Sequence, residues 1–367
     1  MFKAMIKTIK TSVINFWHTF KSGVWLKSPI FWALFMAYAI PLGFLLYVLY
    51  MNFLPFGYNK TFTIDVGSGN DTKISEFYLE PSKDLSERKT NGDGNTYREL
   101  NGTAYAVFKP NTVLKDAQVT VSVEGEGVSI IPPVIDFKPE DVKWDYSWDF
   151  TQSKKPEELG LTGNAFPFDG AMYFDGKSRL ELPNSADKFE DGPFTVYVEW
   201  TPQDNQNNSQ EIIGHYNWEL LQNKDNVEFR VGRMEDPING LVYKINYFFN
   251  EDKEFFNLKH SALAIYYPAK ESSMNGYIDL FIDNNFAGRS YFGIEKISKK
   301  YGQKNITFGT SHGTQNMYNG SVNKTYIINK KINFDNNSLS FIFNNSTPEI
   351  SISGYNGKLN KINIYVK

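Results

Sequence analysis

GPFTVYVEWTP, residues 192–202, has the side-chain alternation of a strand that is buried on one face. Its side chains fall into an apolar set, Phe194, Val196, Val198 and Trp200, and a mixed set, Thr195, Tyr197 and Glu199. Successive side chains of a β-strand point to opposite faces of the sheet, so this strand would have one wholly apolar face. The pattern predicts a β-sandwich with that face turned to the core.

The same alternation recurs in GYIDLFIDNNFAG, residues 276–288. The apolar set is Ile278, Leu280 and Ile282, opposite Tyr277, Asp279, Phe281 and Asp283. Four further segments have strand-like patterns bounded by turn residues: AMYFDGKSRLELP (171–183), NITFG (305–309), NGSVNKTYIINKKI (319–332) and NGKLNKINIYVK (356–367). We interpret the last two as possible closing strands of the sandwich.

In order and spacing, these segments resemble the laminin-G-like, concanavalin A-like jelly-roll superfamily over roughly residues 144–367. The resemblance implies a jelly-roll β-sandwich that binds a glycan or a protein partner. The sequence departs from the family pattern at Asp283-Asn284-Asn285, where Asp-Gly is usual, and in a surplus between the two closing candidates.

Residues 57–136 read as a separate small β-sandwich domain. TFTIDV (61–66) and QVTVSV (118–123) alternate as strands do, and Gly125-Glu126-Gly127 is a turn signal after the second. We expect a polar loop at 81–98 and an exit linker beginning at Ile131-Pro132-Pro133. The fold class expected for the whole chain is mainly β, preceded by N-terminal helices.

The N-terminal helices are predicted to anchor the chain in a membrane. Residues 29–51 carry no charge and, at about 1.5 Å per residue, span roughly 34 Å, enough to cross a bilayer. We predict a transmembrane helix over 28–54 rather than a buried core helix or a cleaved signal peptide. All five lysines of this region precede the apolar run, which predicts a single-pass cell-membrane protein with a cytoplasmic N-terminus and an extracellular body.

Residues 1–27 combine apolar residues at helical spacing with lysines on other faces. This pattern predicts a cytoplasmic basic amphipathic helix that contacts membrane lipid; docking on another membrane subunit is the alternative. Residues 1–54 together would form the lipid-binding part of the chain.

Composition excludes several functions. The 367 residues have a net charge of −3, and because residues 1–54 carry +5, the remainder carries −8. An acidic body makes nucleic acid an unexpected partner. The absence of cysteine excludes disulfides, a thiol nucleophile and thiolate zinc sites. The sequence gives no indication of the oligomeric state.

The mixed strand faces suggest a binding surface. Aromatic rings can stack on a sugar while carboxylates bind its hydroxyl groups. The predicted binding residues are Tyr197, Glu199, Tyr277, Asp279 and Phe281, with His215, Trp218 and His312 as a possible loop-end site. The alternatives are an ordinary solvated sheet face and structural histidines.

The sequence predicts no enzyme activity. Glycoside hydrolysis needs two carboxylates placed across the scissile bond, and the Glu-x-Asp-x-x-Glu strand of glucanases in this superfamily is missing. Glu199 and Asp279 could meet only across strands. No cofactor is required, although the carboxylates of a set of aspartates could bind calcium: Asp169, Asp175, Asp191 and Asp283.

Asn-x-Ser/Thr sequons are frequent on the predicted outer side and suit a glycosylated surface protein. The candidate acceptors are Asn59, Asn70, Asn101, Asn207, Asn305, Asn319, Asn323, Asn336, Asn344 and Asn345.

The leading hypothesis is therefore a membrane-anchored cell-surface protein whose ectodomain binds a glycan or a protein partner in adhesion or recognition. The alternative is a structural or accessory subunit of a cell-envelope complex without its own soluble ligand.

Overall fold

The computed structural model describes residues 40–43, 60–66, 73–74, 77–80, 85–108, 116–186, 192–203, 209–215, 218–232, 242–249, 255–268, 276–292, 305–310, 317–343 and 350–367. Residues 40–43 are helical. The helices predicted over 1–27 and 28–54 otherwise lie outside the described residues. Within the described part of the chain, no helix combines the length and hydropathy needed to cross a bilayer.

Residues Lys60–Val366 form one compact unit. In chain order, the strands are β1 (Lys60–Asp65), β2 (Lys73–Ile74), β3 (Phe77–Glu80), β4 (Leu85–Thr90), β5 (Thr96–Phe108), β6 (Gln118–Ile131), β7 (Tyr146–Asp149), β8 (Thr162–Gly163), β9 (Phe166–Phe168), β10 (Ala171–Asp175), β11 (Leu180–Leu182), β12 (Phe194–Pro202), β13 (Gln210–His215), β14 (Trp218–Gln222), β15 (Asn226–Gly232), β16 (Val242–Phe248), β17 (His260–Tyr267), β18 (Gly276–Ile282), β19 (Asn285–Phe292), β20 (Ile306–Phe308), β21 (Asn319–Ile328), β22 (Ser338–Ile342) and β23 (Ile350–Val366). Short 3₁₀ helices span Pro139–Asp141, Phe150–Gln152 and Pro156–Leu159. The mainly β fold class is confirmed for this unit.

The described strands of this unit form three sheets, numbered here in the order in which the chain enters them. The second and third sheets pack face to face as a sandwich. The second sheet has the order β19-β18-β17-β12-β21-β10-β9, with β7 paired to β21, and the third has the order β16-β15-β14-β13-β20-β11-β8. The core between them contains Phe194, Val196, Val198 and Trp200, as the alternation in 192–202 predicts. It also contains Ile278, Leu280 and Ile282, so both predicted apolar faces are confirmed.

The first sheet joins the two ends of the compact unit. Its order is β2-β3-β5-β23-β6-β22, with β1 paired to β23 and β4 paired to β5. The candidate closing strand at 319–332 lies in the second sheet as β21, but the candidate at 356–367 lies in the first sheet as part of β23. Residues 356–367 therefore do not close the jelly roll, because they pair with β1, β5 and β6.

Two local predictions in the first sheet are wrong. Gly125 and Gly127 do not form a turn, because β6 runs through them and the register with β23 shifts nearby. A Cβ atom at Gly125 would lie 2.0 Å from the carbonyl oxygen of Lys358, so only glycine allows this approach of the two strands. Residues 85–98 are not a polar loop but the strands of the β4–β5 hairpin, closed by a turn at 91–95.

The geometry of the hairpin between β18 and β19 explains why the sequence has Asp283-Asn284-Asn285 where Asp-Gly is usual. Asp283 and Asn284 both have positive φ angles, 49° and 65°. Two-residue hairpin turns of this kind need left-handed residues, which Asp and Asn tolerate better than other residues with side chains. The Asp283 carboxylate stabilises the turn by accepting a hydrogen bond from the Ser261 backbone N–H at 2.7 Å.

Candidate functional site

The mixed face of the second sheet, where the sequence predicts a binding surface, is buried. The five residues predicted there are between 0 and 9% exposed: Tyr197, Glu199, Tyr277, Asp279 and Phe281. Ile135 and Phe137, which follow β6, belong to the hydrophobic cluster on this face. The ring centroid of Phe137 lies 5.8 Å from that of Tyr197. Neither the glycan-binding nor the solvated interpretation fits this burial, because segments distant in sequence cover the face.

Asp279 is held by a buried arginine. Nε and Nη2 of Arg289 donate to the two carboxylate oxygens of Asp279 at 2.6 and 2.7 Å, and Nη2 also donates to Asp335 at 2.7 Å. Lys331 Nζ lies 3.0 Å from the other oxygen of Asp335. We call Asp279, Arg289, Lys331 and Asp335 the buried ion cluster. Both oxygens of Asp279 are committed to Arg289, so Asp279 is not available to form a hydrolytic pair with Glu199.

The predicted loop-end site is not formed by His215 and Trp218. Both side chains are about 1% exposed, and their rings stack at a centroid distance of 6.4 Å. Burial lowers the pKa of His215 to about 4, so the imidazole is neutral at physiological pH. His312 lies outside the described residues. The first two residues therefore belong to the interior of the sandwich.

The described aspartates that were predicted to bind calcium do not form a common site, because two of them accept hydrogen bonds from different neighbours. Asp175 accepts hydrogen bonds from Lys177 and Ser178, and Asp283 from Ser261. Asp169 lies in the turn between β9 and β10, and Asp191 lies outside the described residues. Among the side chains that the structure describes, no group of three or more His, Asp or Glu residues could hold a metal ion.

Asp283 also contacts His260, and this pair gives a testable pH dependence. His260 Nδ1 lies 2.7 Å from an Asp283 carboxylate oxygen, and Nε2 lies 2.8 Å from the carbonyl oxygen of Phe255. Burial disfavours the charged imidazole, but these two acceptors outweigh burial and raise the pKa of His260. The stabilisation by this pair is fully present below the unfolded-state value, about 6.5, and is lost as the pH rises through the raised value.

We expect Asp283→Asn to remove this pH dependence at a cost below about 1 kcal/mol, since the pair is partly exposed and screened by solvent. Urea unfolding between pH 5 and 9 measures it. An Asp283→Asn curve parallel to that of the unchanged protein would contradict the assignment.

The structure places the candidate glycosylation sites in different environments. Asn101 and Asn336 are exposed, whereas Asn305, Asn319 and Asn323 are partly buried. Asn305 Nδ2 donates to Glu181 at 2.6 Å, so its amide is already engaged. The other five candidates, Asn59, Asn70, Asn207, Asn344 and Asn345, lie outside the described residues.

A row of polar side chains crosses the third sheet on the face turned away from the sandwich core. The registers align Glu181 with Thr307, Thr307 with Gly214, and Gly214 with Glu219. Glu219 lies opposite Arg230 on β15, and Arg230 lies opposite Lys244 on β16. Because side chains alternate along each strand, Glu228 on β15 shares this face. We call Glu211, Glu219, Glu228, Arg230, Lys244 and Thr307 the polar row.

Glu211 occupies the gap that Gly214 leaves in this row. The register between β13 and β14 shifts between Glu211 and Ile213. The Glu211 carboxyl group lies close to Gly214: a Cβ atom at Gly214 would be 2.8 Å from the carboxyl carbon of Glu211. Oε1 accepts a hydrogen bond from the Thr307 hydroxyl at 2.9 Å. Glu211 is completely buried, and burial together with the neighbouring Glu219 carboxylate raises its pKa well above the ordinary value.

Ion pairs connect the rest of the row. Arg230 contacts Glu219 directly, and its other terminal nitrogen lies 3.7 Å from Glu228. Lys244 Nζ lies 3.3 Å from the second carboxylate oxygen of Glu228. Glu228 is itself buried, so cations face both of its oxygens in a poorly solvated position. The row thus runs without interruption from Thr307 to Lys244.

The row ends in a surface depression of about 440 Å³. We call this the depression; it is lined by Asn223, Lys224, Asp225, Asn226, Glu228, Lys244, Asn246 and Phe248. Phe248 is 58% exposed, so its ring is open to a ligand. Asn223 Nδ2 donates to Asn226 at 2.7 Å, and Asn226 Nδ2 donates to Asp225 at 2.8 Å, which fixes the orientation of both amides. The volume is within the range of small-ligand sites.

A second depression of about 460 Å³ lies in the first sheet. It is lined by Asp65, Gly94, Asn95, Thr96, Glu124, Asn360 and Lys361. No aromatic ring occurs in this described lining. The depression beside Phe248 is therefore the better candidate for a site that combines ring stacking with hydrogen bonding.

None of the depression's lining residues was predicted from the sequence. NVEFRVG (226–232) and VYKINYF (242–248) alternate polar and apolar residues, as the strands predicted elsewhere do. That alternation would have suggested a polar face carrying Glu228, Arg230 and Lys244. It would not have shown which residues are neighbours, since that depends on the register between the strands.

Neither a protein-family profile nor a curated protein sequence matches the chain. Among solved structures, it is similar to domain 4 of AbnA, a GH43 extracellular arabinanase from Geobacillus stearothermophilus, in complex with arabinotriose. The identity is 13% and the TM-score 0.39, over 52% of this chain and 94% of that one. It is also similar to the CBM40 of the Ruminococcus gnavus IT-sialidase bound to α2,6-sialyllactose, with 12% identity and a TM-score of 0.35, over 47% and 93% of the two chains.

A third similar structure is the receptor binding domain of botulinum neurotoxin D, with 14% identity and a TM-score of 0.36, over 52% of this chain and 50% of that one. The chain spans about half the length of this toxin domain, and 42% of the related C/D mosaic domain. These likenesses are distant, so the site is identified from its own geometry.

Proposed function

We propose that the chain is a glycan-binding protein and that the glycan lies in the depression on the third sheet. The observation that carries this proposal is the exposed ring of Phe248 beside oriented amide groups in one depression. A sugar ring has an apolar face that can stack on an aromatic ring, while its hydroxyl groups need both donors and acceptors. Asn amides supply both in one side chain.

The charges of the depression favour a neutral glycan. Its described lining has two cations, Lys224 and Lys244, and two carboxylates, Asp225 and Glu228. These charges balance, so an anionic sugar would gain little net attraction. Neutral oligosaccharides are the ligand class that we propose.

The proposed activity is binding without hydrolysis. The two oxygens of Glu228 face Arg230 and Lys244, which suits Glu228 to accept hydrogen bonds from sugar hydroxyl groups. Hydrolysis would need one carboxyl group to give a proton to the leaving oxygen and a second across the scissile bond.

We further propose that residues 28–54 anchor this binding unit in the cell membrane, with residues 1–27 on the cytoplasmic lipid surface and the β-rich body outside. The uncharged run at 29–51 and the five preceding lysines support this arrangement. A glycan-binding body outside the cell would serve adhesion or recognition. Protease added to intact cells tests the orientation: trimming of the N-terminal end with the body spared would overturn it.

The binding test compares two exposed phenylalanines. We expect Phe248→Ala to weaken binding of a neutral oligosaccharide at least about tenfold, because truncating a central aromatic contact typically costs about 2 kcal/mol and tenfold corresponds to about 1.4 kcal/mol. Phe168→Ala is the matched control: Phe168 is 65% exposed on the second sheet, away from the depression, and this variant should bind normally. Titration calorimetry with arabinotriose, cellotriose and α2,6-sialyllactose, using the full chain in mild detergent, measures both.

Three outcomes would count against the proposal. If the unchanged protein binds none of the three sugars, with or without calcium, the assigned function fails. If binding survives in Phe248→Ala, or falls equally in Phe168→Ala, the site is misplaced. Stronger binding of sialyllactose than of the neutral sugars would overturn the proposed ligand class.

A further inference from the structure

The polar row contains more acid than base. Its three carboxyl groups belong to Glu211, Glu219 and Glu228, whereas the described side chains supply two cations to it. Arg230 contacts Glu219 and Glu228, and Lys244 contacts Glu228. Glu211 makes no ion pair among the described side chains. Since it is also completely buried, it is the carboxyl group whose ionisation costs most.

The surroundings of Glu211 favour a proton on it. Thr307 on β20 donates to Oε1, whereas Oε2 is buried without a donor among the described residues. The carboxyl group of Glu211 packs against Gly214, which lies opposite Glu219 in the pairing of β13 with β14, so Glu211 and Glu219 are neighbours. Two carboxyl groups can bond to each other only if one of them carries a proton. Two other charged groups lie toward Glu211. They are Arg230 on β15 and Glu181 on β11, which lies on the far side of Thr307.

We propose that Glu211 carries a proton at neutral pH, donates it in a hydrogen bond to Glu219, and thereby positions the ion pairs that present Glu228 and Lys244 to the glycan. This inference rests on the proposed glycan site. Glu211 is a positioning residue in it, because it acts on the depression through Glu219, Arg230 and Glu228. The protonated state leaves two carboxylates for two cations, so the row is neutral.

Loss of the proton should disturb the depression. An ionised Glu211 would repel Glu219, and the attraction of both carboxylates for Arg230 would compete with the contact between Arg230 and Glu228. The arrangement of Glu228 and Lys244 at the ligand would then change. We therefore expect the glycan affinity to fall as the pH rises through the range in which Glu211 loses its proton.

The first experiment measures the proton without any ligand. A carboxyl group whose pKa is raised by folding stabilises the protein below its unfolded-state value of about 4.5, and this contribution declines as the pH rises toward the folded-state value. The unfolding constant of the full chain in mild detergent should therefore rise with pH, by at most about tenfold per pH unit for one proton. Glu211→Gln, which keeps a donor beside Glu219, should remove the part of this rise that comes from Glu211, while the part that comes from His260 should remain.

Glu181→Gln is the control variant, because Glu181 lies on the same face but is separated from Glu219 by two strands, β20 and β13. It should retain the slope of the unchanged protein. If Glu211→Gln does not fold, Glu219→Gln provides the second measurement, since it removes the charge opposite Glu211 and should also reduce the slope. A slope that is unchanged in the folded variants would overturn the protonation.

The second experiment measures affinity for arabinotriose and cellotriose at pH 5.5 and pH 8. The unchanged protein should bind at least threefold more tightly at the lower pH, and Glu211→Gln should bind equally at both. Equal affinity of the unchanged protein at both pH values, or a pH dependence that survives in Glu211→Gln, would overturn the coupling. If neither sugar binds, the proposed function and the coupling fail together, while the unfolding slopes still decide whether Glu211 holds the proton.

Discussion

Arg289→Met should lower the free energy of unfolding by about 3–5 kcal/mol, the usual cost of removing one partner from a buried ion pair. The side chains of Arg289 and Asp279 are each 3% exposed. Without the guanidinium, Asp279 would lose both of its hydrogen bonds from Arg289, and Asp335 would lose one of its partners. Methionine fills a similar volume, so the loss would reflect the missing charge more than a cavity.

The buried ion cluster also connects two parts of the fold. Asp335 accepts a hydrogen bond from Ser129 on β6 at 3.3 Å. Tyr291 on β19, whose ring lies 5.9 Å from the Arg289 guanidinium, is hydrogen-bonded to Ser353 on β23 at 2.8 Å. The loss of Arg289 should therefore loosen the contact between the first and second sheets as well as the second sheet itself.

Lys89→Met is the matched control for Arg289→Met. Lys89 forms an ion pair with Glu99 at 2.6 Å, as short as the contact between Arg289 and Asp279, but its side chain is 46% exposed. Exposed pairs typically contribute less than about 1 kcal/mol. Urea unfolding followed by tryptophan fluorescence measures both variants. A loss below about 1 kcal/mol in Arg289→Met, equal to that in Lys89→Met, would show that the cluster does not stabilise the fold.

Side-chain alternation predicts the sandwich faces well, because the period of two is set by the strand backbone itself. Phe194 and Ile278 lie in the core for this reason. Alternation does not predict whether the opposite face is open. Tyr197 and Phe281 are covered by Phe137 and Phe334, whose ring contacts form between segments far apart in the chain. The sequence of a strand shows the same alternation whether solvent or another segment covers its second face.

The candidate site was harder to predict from the sequence than the core. The approach of Glu211 to Glu219 depends on a register shift within β13 and on the missing side chain at Gly214. Neither feature leaves a pattern that a single sequence shows. The depression likewise depends on pairing Asn226 with Phe248 across two strands. The residues are visible in the sequence, but their proximity is not.

The partner of the C-terminal strand was also mispredicted, because its alternation fits either sheet. We expect truncation after Phe343, which removes β23, to unfold the first sheet. Six apolar side chains of β23 are fully buried: Ile350, Ile352, Leu359, Ile362, Ile364 and Val366. At about 1.5–3 kcal/mol each, their burial contributes roughly 9–18 kcal/mol before entropy is counted. That exceeds the total stability of many domains, and β5 and β6 would also lose the strand between them.

Hydrogen exchange measured by mass spectrometry on the full chain and the truncated chain can locate the effect. Amides in β5 and β6 should lose protection, while those in β12 and β17, which pair within the second sheet, should keep it. Tyr365→Ala is the control, because Tyr365 lies on β23 but is 39% exposed, and it should leave protection unchanged.

Gly125→Ala tests the same pairing without shortening the chain. The added Cβ would meet the Lys358 carbonyl oxygen between β6 and β23, so it should expose the same amides to a smaller extent. Protection of β5 and β6 that survives truncation would mean that the first sheet is stable without its central strand. Loss of protection in β12 as well would mean that the sandwich depends on the first sheet, and that the two cannot unfold separately.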